Sequence, residues 1–184
     1  MTTSQPSTST TEPVVIVDYD PRWPLLFDQA RSEILRAIGP RVVAVEHIGS
    51  TAVPGLAAKP IVDIMVGLRT LEVAPQCIAA LQRLGWVYVP ENEASFPERR
   101  YFDKDLAGIR TEHLHMVETT SEFWERHLLF RDFLRAHRDV AEEYAQLKRD
   151  LTKKFRYQRD AYTDAKGPFI RAVEARARAE RRYS

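Results

Sequence analysis

The chain has 184 residues, 44% of them hydrophobic and 29% charged, which suits one domain with a substantial core and leaves little room for a second. Its 27 basic and 26 acidic residues leave a formal net charge of +1, so overall charge gives no pull toward nucleic acid. A single cysteine, Cys77, excludes an intrachain disulfide framework and a multi-cysteine metal cluster, and no apolar run approaches the roughly 18–20 residues that span a membrane.

Residues 1–12 are almost all Ser, Thr, Gln and Pro and are expected to form a disordered tail. They carry neither the basic nor the apolar block of a signal peptide, so a cytoplasmic location is expected. A β-branched run at 13–17 predicts a first strand or an extended arm. Asp20-Pro21 predicts a helix start, and Trp23, Leu26, Phe27, Ala30, Ile34, Ala37 and Ile38 then make one apolar face that ends at Gly39-Pro40. Strands are predicted at 42–48 and 61–67, the second apolar almost throughout, as in a central strand covered on both faces. Thr70 caps a helix whose stripe includes Leu71, Ala74, Ile78, Leu81 and Leu84, and Cys77 falls on that stripe as a buried thiol. Further strands are predicted at 86–89, 99–104 and 112–117, with a loop at 90–97 and a turn at Ala107-Gly108. From Ser121 the period changes from two to 3.6, and the rest reads as helices interrupted at Gly167-Pro168.

Two features in this order carry chemistry. Gly49-Ser50 follows a strand directly, which allows close backbone approach to a ligand beside a hydroxyl, a turn suited to a phosphate oxygen. Asp63 then sits inside the run Pro60-Ile61-Val62-Asp63-Ile64-Met65-Val66, where a carboxylate is expensive to bury unless it is paired or binds a metal. His113 and His115 are two apart on a predicted strand and share a face. With Asp63 they can form a two-histidine, one-carboxylate metal site, bind a phosphate as donors, or act as acid and base. His47 lies two residues before Gly49 and is weighed equally between site and core. Lys59 and Arg110 suit phosphate contact, Arg99 and Arg100 less so. Tyr162 and Lys166 share a helix face and, with Asp160, either close the site or pin the helix to the sheet. The arginine-rich end at 171–182 has no interleaved aromatics, so base stacking has little support.

The pattern apolar-Gly-Ser, spacer, Asp-apolar-x-apolar is similar to the nucleotidyltransferase superfamily signature, in which the turn holds nucleotide phosphates and paired acids hold a divalent metal. The longer run from His47 through Gly49-Ser50-Thr51-Ala52-Val53-Pro54-Gly55 and Lys59-Pro60 to Asp63-Ile64 resembles the GrpB family, whose members have a nucleotidyltransferase-like fold. A related domain is fused to some dephospho-coenzyme A kinases. The resemblance continues at Arg110 to His115, at Trp124, His127-Leu128 and Phe130-Arg131-Asp132, and at Asp160, Tyr162, Lys166 and Phe169-Ile170. It implies a domain at 13–172 followed by a basic helix end at 173–184. The fold class implied is α/β (α+β), a mixed sheet flanked by helices with a C-terminal helical segment.

The reaction implied is transfer of a nucleotidyl group from a nucleoside triphosphate, or use of another phosphorylated small molecule, with Mg2+ on Asp63. Gly49 and Ser50 would hold phosphate oxygens, and Lys59, Arg110, His113 and His115 would neutralise them. One departure bears on the chemistry. The superfamily's second acid falls at Met65, which offers no hard oxygen ligand. The alternatives are a binding module that keeps the pocket without the reaction and assists a partner enzyme, and a mononuclear metal enzyme built on Asp63, His113 and His115.

Overall fold

The structure, a computed structural model, describes residues 13–182. The expected tail at 1–12 lies outside the described residues.

A five-stranded mixed sheet carries the fold, in the order β1-β2-β5-β4-β3. The strands are β1 (Val42–Ile48), β2 (Val62–Leu68), β3 (Val87–Tyr88), β4 (Arg99–Leu106) and β5 (Ile109–Glu118). β2 runs parallel to β5, and the other pairs are antiparallel. Helices α1 (Trp23–Ile38) and α2 (Ala74–Arg83) cover one face. Their Ala30, Ile34, Ile38, Ala74, Cys77 and Leu81 pack with Val45, Ile64, Val66, Phe102, Leu114 and Met116 of the sheet. The opposite face receives α3 (Glu122–Ala136), whose Phe123 meets Ile48, Met65 and Val117. Helix α3 then packs with α4 (Arg138–Lys154) and α6 (Gly167–Arg181) into a helical subcore around Phe133, Leu134, Val140, Tyr144 and Val173. Between them lies the short α5 (Arg159–Ala165).

Alternation sorts the side chains. In β2, Val62, Ile64 and Val66 face the α1/α2 core, while Asp63, Met65 and Gly67 face α3. Gly67 is small because Trp124 lies on it: an added Cβ would sit 2.6 Å from the indole and 2.5 Å from the Thr119 methyl.

Ser121 caps α3 as expected, its hydroxyl accepting from the Trp124 N–H at 3.2 Å. Thr70 accepts from Glu72 N–H and opens a 3-10 turn before α2. Several boundaries differ from expectation. The 13–17 run makes no strand, only an isolated bridge of Val17 to Ala58. Helix α1 begins at Trp23, not Pro21, because Asp20 accepts from Arg22 N–H and closes a turn first, placing Pro24 in the first helical turn. The 86–89 strand is only two residues long, since Pro90 has no N–H to donate and residues 90–94 wind into a 3-10 helix. β4 and β5 run further than predicted, to a tight hairpin at Ala107 (φ 52°) and Gly108 (φ 80°).

Replacing Gly67 with alanine is expected to destabilise the domain by about 1–3 kcal/mol, as overpacking against a fixed indole does. Urea unfolding followed by fluorescence checks it, and an unchanged midpoint refutes that packing.

Candidate functional site

The site grows from the end of β1. Gly49 adopts φ 69° and ψ −170°, and a 3-10 turn, Ser50–Ala52, follows. A Cβ built on Gly49 would lie 2.4 Å from Oδ2 of Asp63. The turn backbone is therefore pressed against that carboxylate, and only glycine allows it. Asp63 reaches this place because it pairs with Ile48, the last residue of β1.

From Asp63 a polar row crosses the sheet. His113 on β5 pairs with Asp63, and its Nδ1 lies 3.0 Å from Oδ1 of Asp63. Its Nε2 faces Oδ1 of Asp103 on β4 at 3.7 Å, and both atoms are buried with no hydrogen-bond partner. Arg110 holds the other oxygen of Asp103 at 2.6 Å and also pairs with Asp105. Burial works against ionised Asp63, but the bond to His113 and the fields of His113, His115 and Lys59 outweigh it. Its pKa falls to about 2.

The next row on this face is Glu46, Met65, His115 and Tyr101. His115 therefore stands one row away from Asp63, between the rings of Tyr101 and Phe123 at 5.2 and 5.6 Å, and burial lowers its pKa well below the usual imidazole value. His47 falls on the other face of the sheet. It stacks on Phe27 at 4.8 Å, and its Nε2 lies 3.0 Å from the Thr51 hydroxyl. Burial takes it down to about 4. It supports the turn from behind and does not line the pocket.

Lys148, which the sequence reading passed over, completes the turn. It is 2% exposed, and its Nζ donates to Oγ of Ser50 at 3.0 Å and to the carbonyl of Ala57. Its one visible signal was its place beside Tyr144, Leu147 and Leu151 on the buried stripe of α4. Burial, then the fields of Lys166, Arg149 and Lys59, depress it to about 7. Lys59 falls to about 8 through burial and the fields of Arg159 and Lys166, and burial also lowers Lys166. The buried ring of Tyr162 holds both, with Lys59 Nζ at 6.0 Å and Lys166 Nζ at 4.7 Å from its centroid. Among the described residues none of the three lysines makes an ion pair. Beside Lys59 a cavity of about 180 Å³ is lined by Arg110, Arg159, Val14 and Ile109. Asp160 is exposed, and Arg99 and Arg100 lie away from the turn, at the start of β4.

The donor set fits some metal arrangements and not others. Asp63 brings a single carboxylate, Met65 follows it on the same face, and the flanking acids Glu46 and Asp103 are held by Arg131 and Arg110. Among the described residues no three His, Cys, Asp or Glu side chains gather as a metal site. His113 and His115 stand in successive rows, so they do not close a set with Asp63. Magnesium carried by phosphate oxygens, with Asp63 as its protein carboxylate, suits this arrangement, because that ion keeps waters and substrate oxygens as most of its ligands.

The profile described as GrpB protein matches residues 13–176. YqkA of Bacillus subtilis is 38% identical over 165 residues, covering 90% of this chain but 47% of YqkA, so the chain spans about half the length of that relative. A dephospho-CoA kinase of Mycolicibacterium paratuberculosis is 28% identical over 187 residues, covering 90% of this chain and 46% of the kinase. Among solved structures, the conserved protein GrpB of Enterococcus faecalis superposes with a TM-score of 0.82 at 31% identity, covering 92% of this chain and 100% of that one. A structure of the Cid1 poly(U) polymerase with MgGTP bound has a TM-score of 0.50 at 13% identity, covering 75% of this chain and 44% of Cid1, a likeness of fold. The fold is thus nucleotidyltransferase-like.

The lysine cluster has a measurable consequence. Between about pH 7, where folded Lys148 titrates, and 10.5, the ordinary lysine value, the unfolded chain holds the proton that the folded chain has lost. Stability from this group therefore rises with pH across that window. Thermal melts from pH 7 to pH 10 should show wild type gaining on Lys148→Met as pH rises. A constant difference would mean that Lys148 is not buried as a costly cation.

Proposed function

The chain belongs to the GrpB family, and from that premise we propose that it binds the phosphate chain of a nucleoside triphosphate at the Gly49-Ser50 turn and moves the nucleotidyl group to a small acceptor. One observation carries this reading: Lys148 sits on Ser50 of the turn within the fields of Lys59 and Lys166, and the one acid whose field acts on all three is Asp63. Lys148 is buried and Lys59 and Lys166 are half-buried, all three without an ion-pair partner among the described residues and with lowered pKa values, and a polyanion would relieve all three together.

The roles follow from position. Gly49 brings the turn backbone against the Asp63 carboxylate, so a phosphate on the turn and a metal on Asp63 would share one place, and Oγ of Ser50 can donate to a phosphate oxygen there. Lys148, already on Ser50, sits within a side-chain movement of the same oxygen. Lys59 and Lys166, braced on Tyr162, neutralise the outer phosphates, and Arg110 and Arg159 border the cavity beside them. His113 fixes the orientation of the Asp63 carboxylate. Magnesium held by Asp63 and phosphate oxygens would offset charge on the phosphates and polarise the α-phosphorus.

A second reading, a module that binds nucleotide without transfer and assists a partner enzyme, is favoured by Met65 and by the arginines that hold Glu46 and Asp103. Pyrophosphate release separates the two readings, since only transfer produces it.

Binding itself is tested by calorimetry with ATP at pH 8, with and without magnesium. Phosphate oxygens raise the pKa of the nearby amines, so the complex should take up protons, visible as a heat that depends on buffer ionisation enthalpy. Lys148→Met should weaken ATP by about 10- to 100-fold, the loss of one or two charge-assisted bonds, and reduce the uptake. No heat and no thermal shift with ATP or GTP, with or without magnesium, overturns the reading.

A further inference from the structure

One cation on the same sheet face lies outside the lysine cluster. Arg99 opens β4 opposite Val117, four residues and therefore roughly 13 Å along the sheet from the Asp63 row. It is 9% exposed. Three rings surround its guanidinium, Phe96 at 4.4 Å, Tyr101 at 5.0 Å and Phe123 at 5.6 Å. Its Nη2 donates to Oδ1 of Asn92 at 3.1 Å, and its Nη1 lies 3.4 Å from Nδ1 of His115. Its Nε is buried with no acceptor, and among the described residues no carboxylate lies within ion-pair distance.

The contrast with the other buried arginine is direct. Arg131, 8% exposed, is held by two carboxylates, Glu46 and Asp132, each at 2.7 Å. Arg99 has no such partner: the field of the adjacent Glu98 reaches it, but no carboxylate among the described residues is within ion-pair distance. His115 and His127 stand beside it, with ring centroids 6.4 Å apart, and imidazole supplies no negative charge. A buried charge is ordinarily balanced, so an unbalanced one with an orphan N–H marks a place for an anion that arrives from outside. Phe96, itself 43% exposed, lies over the guanidinium from the 90–98 segment, so it is the solvent-facing member of the three rings.

We propose that Arg99 binds an anionic group, carboxylate or phosphate, on the small acceptor. This rests on the nucleotide reading, which fills the Gly49 end of the face with phosphates and leaves the Arg99 end to the second substrate. The Nε and the free edges of the guanidinium would donate to the anion, while the aromatic wall of Tyr101 and Phe123 would exclude water around it.

The test uses the full chain and the imidazole NMR signals of His115 and His127, titrated at fixed pH with succinate and with inorganic phosphate. The phosphate arm is run in Lys148→Met to weaken competition from the lysine cluster. Saturable shifts at both histidines are expected with at least one probe, weakened about tenfold or more in Arg99→Gln. Succinate alone would identify a carboxylate-bearing acceptor, and phosphate alone a phosphorylated one. No shift at either histidine with either probe, or the same shifts in Arg99→Gln, overturns the proposal. Should Arg99→Gln fail to fold, Arg99→Lys keeps the charge but loses the planar fork, and unchanged binding in it also overturns the proposal. MgATP is titrated in the same samples. Arg99-dependent probe binding without ATP binding sinks the nucleotide reading alone, and ATP binding without probe binding sinks this one alone.

Discussion

The contact between the Gly49 backbone and the Asp63 carboxylate sets the geometry of everything around it. It needs a left-handed glycine, and it needs β1 to end opposite Asp63 in the antiparallel register. A slip of one residue would turn Asp63 into the α1/α2 core and bring Ile64 to the site. The register is held on the far side by Val45, Ile64, Val66, Leu114 and Phe102, all part of the larger core. Apolar packing on one face of the sheet thus fixes polar geometry on the other.

Charge is distributed unevenly about that contact. Asp63 is the one acid whose field acts on Lys59, Lys148 and Lys166 alike, and the acids Glu46 and Asp103 are bound to arginines. Such an arrangement opposes folding, most of all at the buried Lys148, whose amine must lose its proton or its hydration. Natural packing would ordinarily replace Lys148 with a leucine or methionine at this position of the α4 stripe. That a lysine stands there, donating to Ser50 and to a backbone carbonyl, fits a site shaped for a ligand rather than for stability of the free chain.

The legible parts of the sequence were those where one residue broke a local rule. Asp63 stood out as a charge in an apolar strand, Gly49-Ser50 as small residues after a strand, and His113 shared a strand with His115. The register joins the first three at one point. For His47, the spacing from Gly49 leaves site and core equally open, and the register decides for the core face, because Ile48 and not His47 pairs with Asp63. His115 keeps the face expected of it and yet stands one row along, among aromatic rings. Lys148 could not be placed, because its partner Ser50 is 98 residues away in the chain and only tertiary packing joins them. The helix starts shifted for local reasons, such as the Asp20 turn ahead of α1, which alter no contact at the site.

One sheet face therefore carries two cationic ends of different character. At the Gly49 end the cations are amines, which are compact, numerous and able to shed protons, and they surround a single acid. At the Arg99 end the cation is a guanidinium, which stays charged, sandwiched between rings and, among the described residues, in ion-pair contact with no carboxylate. Amines suit a diffuse polyanion that brings its own metal, while a planar fork suits one anion held in a fixed orientation. Between the two ends lies the row of Met65, His115 and Tyr101. On the function proposed above, phosphates would take the first end and an anionic acceptor the second, and the distance between the ends is what a transfer between two bound substrates would have to close.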